Sequence, residues 1–186
     1  MSGSEPAYKG AYIMLGGKGR YQPTILSILK YVKSSARISR LKLIEYAGPL
    51  GAQSKRPSNS SVESSMKTLF HMHFLEDDDG IVSIGRNGED YLQLEGAQRN
   101  RFLAEQLILT YTMYREVLGA FARGAPLTAG AIQDKTLGNA GWATPRQVEI
   151  RVDWLRECDC LRDLGSGEHV ITDFGRTVAK DFPPLT

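Results

Sequence analysis

The chain has 186 residues, of which 41% are hydrophobic and 24% are charged, and its net charge at pH 7 is +2. Two cysteines exclude a disulfide-rich scaffold, and no apolar stretch approaches the ~20 residues that a membrane-spanning helix needs. The length suits one medium domain or two small ones. Because residues 1–6 lack the pattern of a signal peptide, we expect a cytoplasmic protein without membrane contact.

The charge is divided unevenly along the chain. Residues 1–75 carry eleven lysines and arginines but only three acids, a net charge of +8, whereas residues 76–186 carry −6. Clustered basic side chains favour a polyanionic partner, because they displace counterions from phosphates. The alternative is an ordinary solvated surface.

The N-terminal part predicts a flexible arm followed by three helices. Residues 1–21, which include Lys18 and Arg20, are rich in glycine and predict a flexible basic arm. A first helix starts near Pro23, a second short helix stops at Gly48-Pro49, and a third is capped by Ser58 or Asn59. The apolar positions that predict these helices are Ile25, Ile28, Leu29 and Val32 in the first, Ile38, Leu41 and Leu43 or Ile44 in the second, and Val62, Met66, Leu69 and Phe70 in the third.

A β-hairpin is predicted after the third helix, and the whole series then occurs again. The turn at 77–80 and the strand at 81–84 form the hairpin. A shift of 86 residues places Val62 on Val148 and Leu69 on Leu155, and a shift of 87 places Gly88 on Gly175. Upstream, a shift of 89 aligns the first two helices with residues 118–132. An internal repeat of this period predicts two copies of one small module.

A helix is predicted between the two copies, from Gln98 to Ala122. Leu103, Leu107 and Tyr114 recur at helical spacing, and no glycine or proline follows Gly96 before Gly119, so we expect one helix, continuous past Tyr111, about 37 Å long. Its apolar face also includes Phe102, Leu109 and Met113. A face this wide predicts packing on both modules or contact through 98–122 with a protein partner or a second copy of the chain, as in a dimer.

The closing segment of the second copy resembles the winged helix-turn-helix superfamily. The segment Ile171-Thr-Asp-Phe-Gly-Arg-Thr-Val-Ala is similar to the strand-to-helix close of many winged-helix proteins, whereas the first copy has Ile84-Gly-Arg-Asn-Gly. The resemblance implies a mainly α fold with small β-hairpins (α+β). It implies winged-helix modules at 22–94 and 113–182, joined by a connecting helix at 95–112, and it does not single out one family.

Within this resemblance, the third helix of each module is the element that would enter the major groove of DNA. The candidate nucleic-acid-binding residues are Lys55, Arg56, Ser58, Asn59, Ser60, Ser61, Ser64 and Lys67 in the first module, and Thr144, Arg146, Gln147 and Arg151 in the second. Hydroxyl and amide groups at a helix start suit phosphates, and arginine and glutamine suit base edges. The alternative is that the small side chains cap the helix and the larger ones are solvated.

The predicted hairpin tips argue against a purely DNA-binding role. Residues 76–79 are Glu-Asp-Asp-Asp, and the second tip at 165–168 ends in Glu168. Acidic tips are repelled by phosphate, so either these wings point away from DNA or one module contacts a protein.

No motif indicates an enzyme, a cofactor or a metal site. His71 and His73 correspond to residues 157 and 159, next to Cys158 and Cys160, but the two pairs lie in different modules, whereas zinc needs four ligands together. We therefore expect a binding protein without catalytic residues or cofactors. The leading hypothesis is a double-stranded DNA-binding protein, either a transcription regulator or the DNA-recognition component of a larger system. The alternative is an assembly subunit built of tandem winged helices, similar to the partners of SMC complexes or to ESCRT-II.

Overall fold

The computed structural model describes residue 8 and residues 12–51, 57–121, 124–136 and 145–184. The chain divides into two compact units. The N-terminal unit contains residues 12–99, and the C-terminal unit contains residues 100–186 together with 1–11. The modules expected at 22–94 and 113–182 each lie inside one unit, and the expected connecting segment 95–112 is divided between them.

Within residues 12–51 and 57–95, the described part of the N-terminal unit before α5, four helices combine with a small antiparallel sheet of order β1-β3-β2. Helix α1 packs against α2, α4 and β3, and α2 packs against α3. The elements are α1 (Tyr21–Ser35), β1 (Ile38–Ser39), α2 (Arg40–Leu50), α3 (Asn59–His71), β2 (Leu75–Asp78), β3 (Ile81–Ile84) and α4 (Arg86–Gln93).

The C-terminal unit follows the same order of elements after one additional helix. Helix α5 (Gly96–Thr110) crosses the boundary between the units. It is followed by α6 (Tyr114–Ala120), β4 (Leu127–Thr128), α7 (Ala129–Thr136), α8 (Pro145–Glu157), β5 (Leu161–Gly165), β6 (Glu168–Ile171) and α9 (Asp173–Asp181). The sheet order is β4-β6-β5, and α6 packs on α7, α8 and α9 as α1 packs on its neighbours.

A mainly helical chain with two small antiparallel sheets is therefore confirmed as the fold class. The sequence pattern predicts the hairpins but not the third strand of each sheet. Ile38, predicted in the second helix, lies instead in β1 and pairs with Val82. A strand of two residues is too short to show the alternation by which strands are recognised.

The predicted apolar faces form the cores of the units. Ile25, Ile28, Leu29 and Val32 are fully buried, as are Val62 and Val148 at equivalent positions of α3 and α8. Four positions differ from the prediction. Leu41 and Leu109 are exposed, with 60% and 41% of their surfaces accessible, and Phe70 and Phe102 are only half-buried.

The prediction of a flexible arm over residues 1–21 is wrong for residues 12–20. Met14 and Leu15 are buried in the N-terminal unit, and α1 begins at Tyr21 with Pro23 in its first turn. Lys18 and Arg20 are exposed. Burial of these two apolar side chains anchors the segment. Its glycine content alone suggested flexibility and does not show this burial.

The prediction of one helix continuous past Tyr111 is also wrong. Helix α5 ends at Thr110, and Met113 adopts a left-handed conformation (φ 73°) before α6 begins at Tyr114. Two distant groups hydrogen-bond the interrupted backbone: the amide of Tyr8 donates to the Thr110 carbonyl (3.1 Å), and Arg151 Nε donates to the Thr112 carbonyl (2.9 Å). The expected burial of Leu103, Leu107 and Tyr114 is confirmed, because all three are fully buried.

Candidate nucleic-acid interface

The start of α3 is capped and exposed. The Ser58 hydroxyl accepts a hydrogen bond from the Ser61 amide (3.3 Å) and lies within hydrogen-bond distance of the Ser60 and Ser61 hydroxyls. All three serines and Asn59 are exposed, and the first turn contains no acidic residue. A helix start with small hydroxyl side chains attracts anions, because the amide dipoles of the helix point outward there.

A polar stripe continues from this start along α3. Ser60, Ser64, Lys67 and His71 are spaced by four, three and four residues, so they share one face of the helix. Lys67 is exposed, and Ser64 and His71 are half-buried. The opposite face carries the buried Val62, Met66 and Leu69. The stripe therefore lies on the side of α3 that faces away from the core.

Tyr12 lies over the C-terminal half of this stripe. Lys67 Nζ is 5.7 Å from the centre of the Tyr12 ring, within the range of a cation–π contact. The His71 ring is 6.1 Å from the same ring and tilted by 56°. Burial, followed by the Lys67 charge, lowers the pKa of His71 below its usual 6.5. The sequence analysis missed Tyr12, since only the fold brings it to α3.

Two of the four acidic residues in the hairpin of this unit pair with arginines that lie just before α2 and at its start. Arg40 Nη1 lies 3.1 Å from Asp77 Oδ2, and Arg37 Nη2 lies 3.5 Å from Asp78 Oδ2. These pairs neutralise part of the negative charge that was expected to repel phosphate. They also engage two of the eleven basic residues counted within residues 1–75. The net positive potential of this face is therefore smaller than the sequence suggests.

Arg40 also borders a shallow depression of about 540 Å³ between α3 and β2. Its guanidinium lies 5.8 Å from the centre of the Phe70 ring, which forms part of the floor with Leu75. His73, Glu76 and Asp77 form the rest of the lining. The lining contains one arginine and two acidic residues, so it does not favour a strongly anionic ligand.

The candidate residues of the second module are arranged differently. Arg146 lies 2.6 Å from Glu149 in an exposed ion pair. Gln147 is half-buried, and its side-chain oxygen accepts a hydrogen bond from Arg151 Nη1 (2.9 Å). The cation and the amide expected to read bases are thus both engaged within α8.

The expectation that Arg151 lies on the surface is wrong. Only 1% of its surface is exposed, and its guanidinium packs 5.6 Å from the centre of the Tyr114 ring. Its hydrogen bonds reach the Thr112 and Gln147 carbonyls. Desolvation by burial lowers the pKa of Arg151 below that of an ordinary guanidinium. The guanidinium therefore stabilises the break between α5 and α6, and we no longer count it among the DNA-contacting candidates.

Three candidate residues, Lys55, Arg56 and Thr144, lie outside the residues that the structure describes. Their assignment stays a prediction from the sequence. In the sequence, Lys55 and Arg56 precede the first residue of α3 by four and three positions, and Thr144 directly precedes α8.

The cysteines and histidines form no metal centre within the described parts of the chain. Cys158 and Cys160 are fully buried free thiols. Burial raises the pKa of Cys160 to about 12 and that of Cys158 well above 9.0. A thiol that keeps its proton is a poor nucleophile and a poor metal ligand, so these cysteines contribute to the core.

None of the helices that the structure describes is both long and apolar enough to span a membrane. No family model, no curated protein and no solved structure matches this chain.

Proposed function

We propose that both units are winged-helix modules and that the N-terminal module binds double-stranded DNA through α3. The order helix, short strand, helix, helix, hairpin is the same in both units and supports the first part of the proposal. In a winged-helix module the third helix enters the major groove. The chain would act as a transcription regulator or as the DNA-recognition component of a larger system.

One observation carries the DNA-binding proposal: the exposed, capped start of α3 continues into a polar stripe that ends in Lys67 and His71. Hydroxyl groups, outward-pointing amides and a lysine are the groups that contact phosphate oxygens in protein–DNA interfaces. Lys55 and Arg56 lie immediately before this helix in the sequence and add positive charge on its approach.

The proposal is tested by measuring duplex affinity as a function of salt. A fluorescently labelled duplex of about 30 base pairs is titrated with the full chain between about 50 and 300 mM salt, a range over which phosphate contacts weaken measurably. Lys67→Glu is expected to weaken binding and to lower the slope of log affinity against log salt by about 1. Arg162→Glu, the same charge change on the exposed strand β5, is the matched control and should have little effect.

A protein-binding role for the C-terminal unit is the second candidate. It is favoured by Leu164, an exposed leucine in the β5–β6 hairpin with 47% of its surface accessible, and by the ion pairing of Arg146 and Arg156 with acidic neighbours. An exposed leucine and cations neutralised by ion pairs suit a protein surface better than a phosphate backbone. Failure of the wild-type chain to bind duplex at about 50 mM salt would favour this assembly role for the whole protein.

A further inference from the structure

The inference concerns Tyr12 and rests on the proposed DNA-binding role of α3. Tyr12 precedes α1, and its backbone is held in place by Met14, Leu15 and Gly16. Met14 and Leu15 are buried, and Gly16 packs so closely on α1 that an added side-chain carbon would lie 2.7 Å from Thr24 Oγ1. The segment therefore has a fixed position on the N-terminal unit, and the ring that it carries is placed over α3.

The Tyr12 ring contacts the two residues that end the polar stripe. Lys67 and His71 are four residues apart on α3, so one aromatic ring can reach both. The ammonium group of Lys67 lies 5.7 Å from the ring centre and the His71 ring lies 6.1 Å from it. The Tyr12 side chain is half-buried, whereas Lys67 is exposed. The ring is thus supported by protein while the lysine stays accessible to a ligand.

An exposed lysine has a flexible four-carbon stem and loses much of its freedom when it binds a phosphate. Contact with an aromatic face restricts that stem before the ligand arrives. We propose that Tyr12 is a positioning residue of the DNA-binding face, holding Lys67 on the exposed side of α3 in the orientation that contacts a phosphate. The tyrosine acts through the lysine and needs no contact with DNA.

The test is a double-mutant cycle on duplex affinity at low salt with the full chain. Tyr12→Ala is expected to weaken binding by about two- to fivefold, the range expected for one exposed cation–π contact. Tyr12→Phe keeps the aromatic face and should bind like the wild type. In the Lys67→Ala background, Tyr12→Ala should cause no further loss, because the group that it positions has been removed.

A second measurement monitors the contact between Tyr12 and His71 directly and does not involve DNA. Burial is the main cause of the lowered pKa of His71, so removing the ring in Tyr12→Ala should raise that pKa towards 6.5 in an NMR titration. Tyr12→Phe should leave the pKa of His71 unchanged. A thermal unfolding curve shows whether Tyr12→Ala still folds, and Tyr12→Leu, which fills part of the space without an aromatic face, replaces it if it does not.

The outcomes separate this inference from the function on which it rests. If Lys67→Ala weakens binding while Tyr12→Ala and Tyr12→Leu bind like the wild type, the positioning role is wrong and DNA binding stands. The positioning role is also wrong if Tyr12→Ala weakens duplex affinity equally in the wild-type and Lys67→Ala backgrounds. If the wild-type chain binds no duplex at any salt concentration, the proposed function fails and this inference fails with it.

Discussion

A side-chain carbon placed on Gly175 would lie 2.1 Å from the carbonyl oxygen of Cys160. The corresponding residues of the N-terminal unit repeat the relationship, since a carbon placed on Gly88 would lie 2.2 Å from the carbonyl oxygen of Phe74. In both units the helix after the hairpin starts against the backbone that follows the third helix. Only a residue without a side chain permits this approach.

Gly175→Ala and Gly88→Ala should therefore each destabilise the protein strongly. The added carbon meets main-chain atoms, which cannot rotate away as a side chain could. We expect a loss of about 3 kcal/mol or more in the free energy of unfolding, measured by chemical denaturation.

Gly130→Ala is the matched control for these two variants. Gly130 lies inside α7, and the nearest atom to an added carbon is Thr128 Oγ1 at 3.9 Å. Alanine favours a helix over glycine, so this variant should gain about 0.5–1 kcal/mol. Equal stabilities of all three variants would contradict the close approach seen at Gly88 and Gly175.

Arg151→Met should destabilise the C-terminal unit although it replaces a surface-type residue. The change removes the donor to the Thr112 carbonyl at the break between α5 and α6. Loss of a hydrogen bond from a charged donor to this half-buried carbonyl costs about 1–3 kcal/mol. Arg146→Met, which breaks only the exposed pair with Glu149, should change the free energy of unfolding by less than about 0.5 kcal/mol.

The buried cysteines predict a loss of stability in alkali. In the unfolded chain a thiol loses its proton near pH 9.0, whereas Cys160 in the folded protein keeps its proton up to about pH 12. Between these values the unfolded state binds fewer protons, so the free energy of unfolding should fall as pH rises, by about 1.4 kcal/mol per pH unit for one thiol. Denaturation curves at pH 8 and pH 10 measure this slope.

Cys160→Ala is the control for the alkaline slope, because it removes this thiol and leaves the other titrating groups in place. Its free energy of unfolding should fall less between the two pH values than that of the wild type. Cys160 and Cys158 should also resist a thiol-specific reagent at pH 8 until denaturant is added. Rapid labelling of the native protein would show that these thiols are accessible.

Helical spacing predicted much of the core from the sequence. Ile25, Val62 and Leu69 face inward because their spacing places apolar groups on one side of a helix, a property of the local sequence alone. The repeat also carried information about burial. A shift of 86 residues places Arg151 on Ser65, and both are buried beside the apolar stripe of their helix.

Other features depend on residues that are distant in the sequence. The break at Met113 contains no glycine or proline, and its carbonyl at Thr112 is satisfied by Arg151, which lies 39 residues further along. Tyr12 reaches Lys67 only because Met14 and Leu15 anchor its segment. Local sequence patterns do not show which distant residues come into contact. The helix break and the position of Tyr12 at the candidate site could therefore not be predicted from them.

Removing negative charge from the acidic hairpin would show whether this hairpin lies near DNA when the N-terminal unit binds. Replacing Asp77 and Asp78 by Asn removes two negative charges and releases Arg37 and Arg40 from their ion pairs. If the hairpin lies near the duplex, affinity at low salt should rise by about three- to tenfold and depend more steeply on salt. Asp134→Asn on the exposed surface of α7 is a control for altered net charge. Unchanged affinity in the double variant would place the hairpin away from DNA.

The basic residues before α3 provide the strongest test of the N-terminal unit as the DNA reader. Replacing Lys55 and Arg56 by Glu should weaken duplex binding by at least about tenfold at low salt, because each loses a favourable phosphate interaction and gains a repulsive one. Arg146→Glu should matter less, since Arg146 is already paired with Glu149. Anisotropy titrations measure both effects, and unfolding curves verify that the variants are folded. Equal affinity of the Lys55/Arg56 variant and the wild type would remove the N-terminal unit as the reader, whereas a larger loss from Arg146→Glu would assign DNA binding to the C-terminal unit.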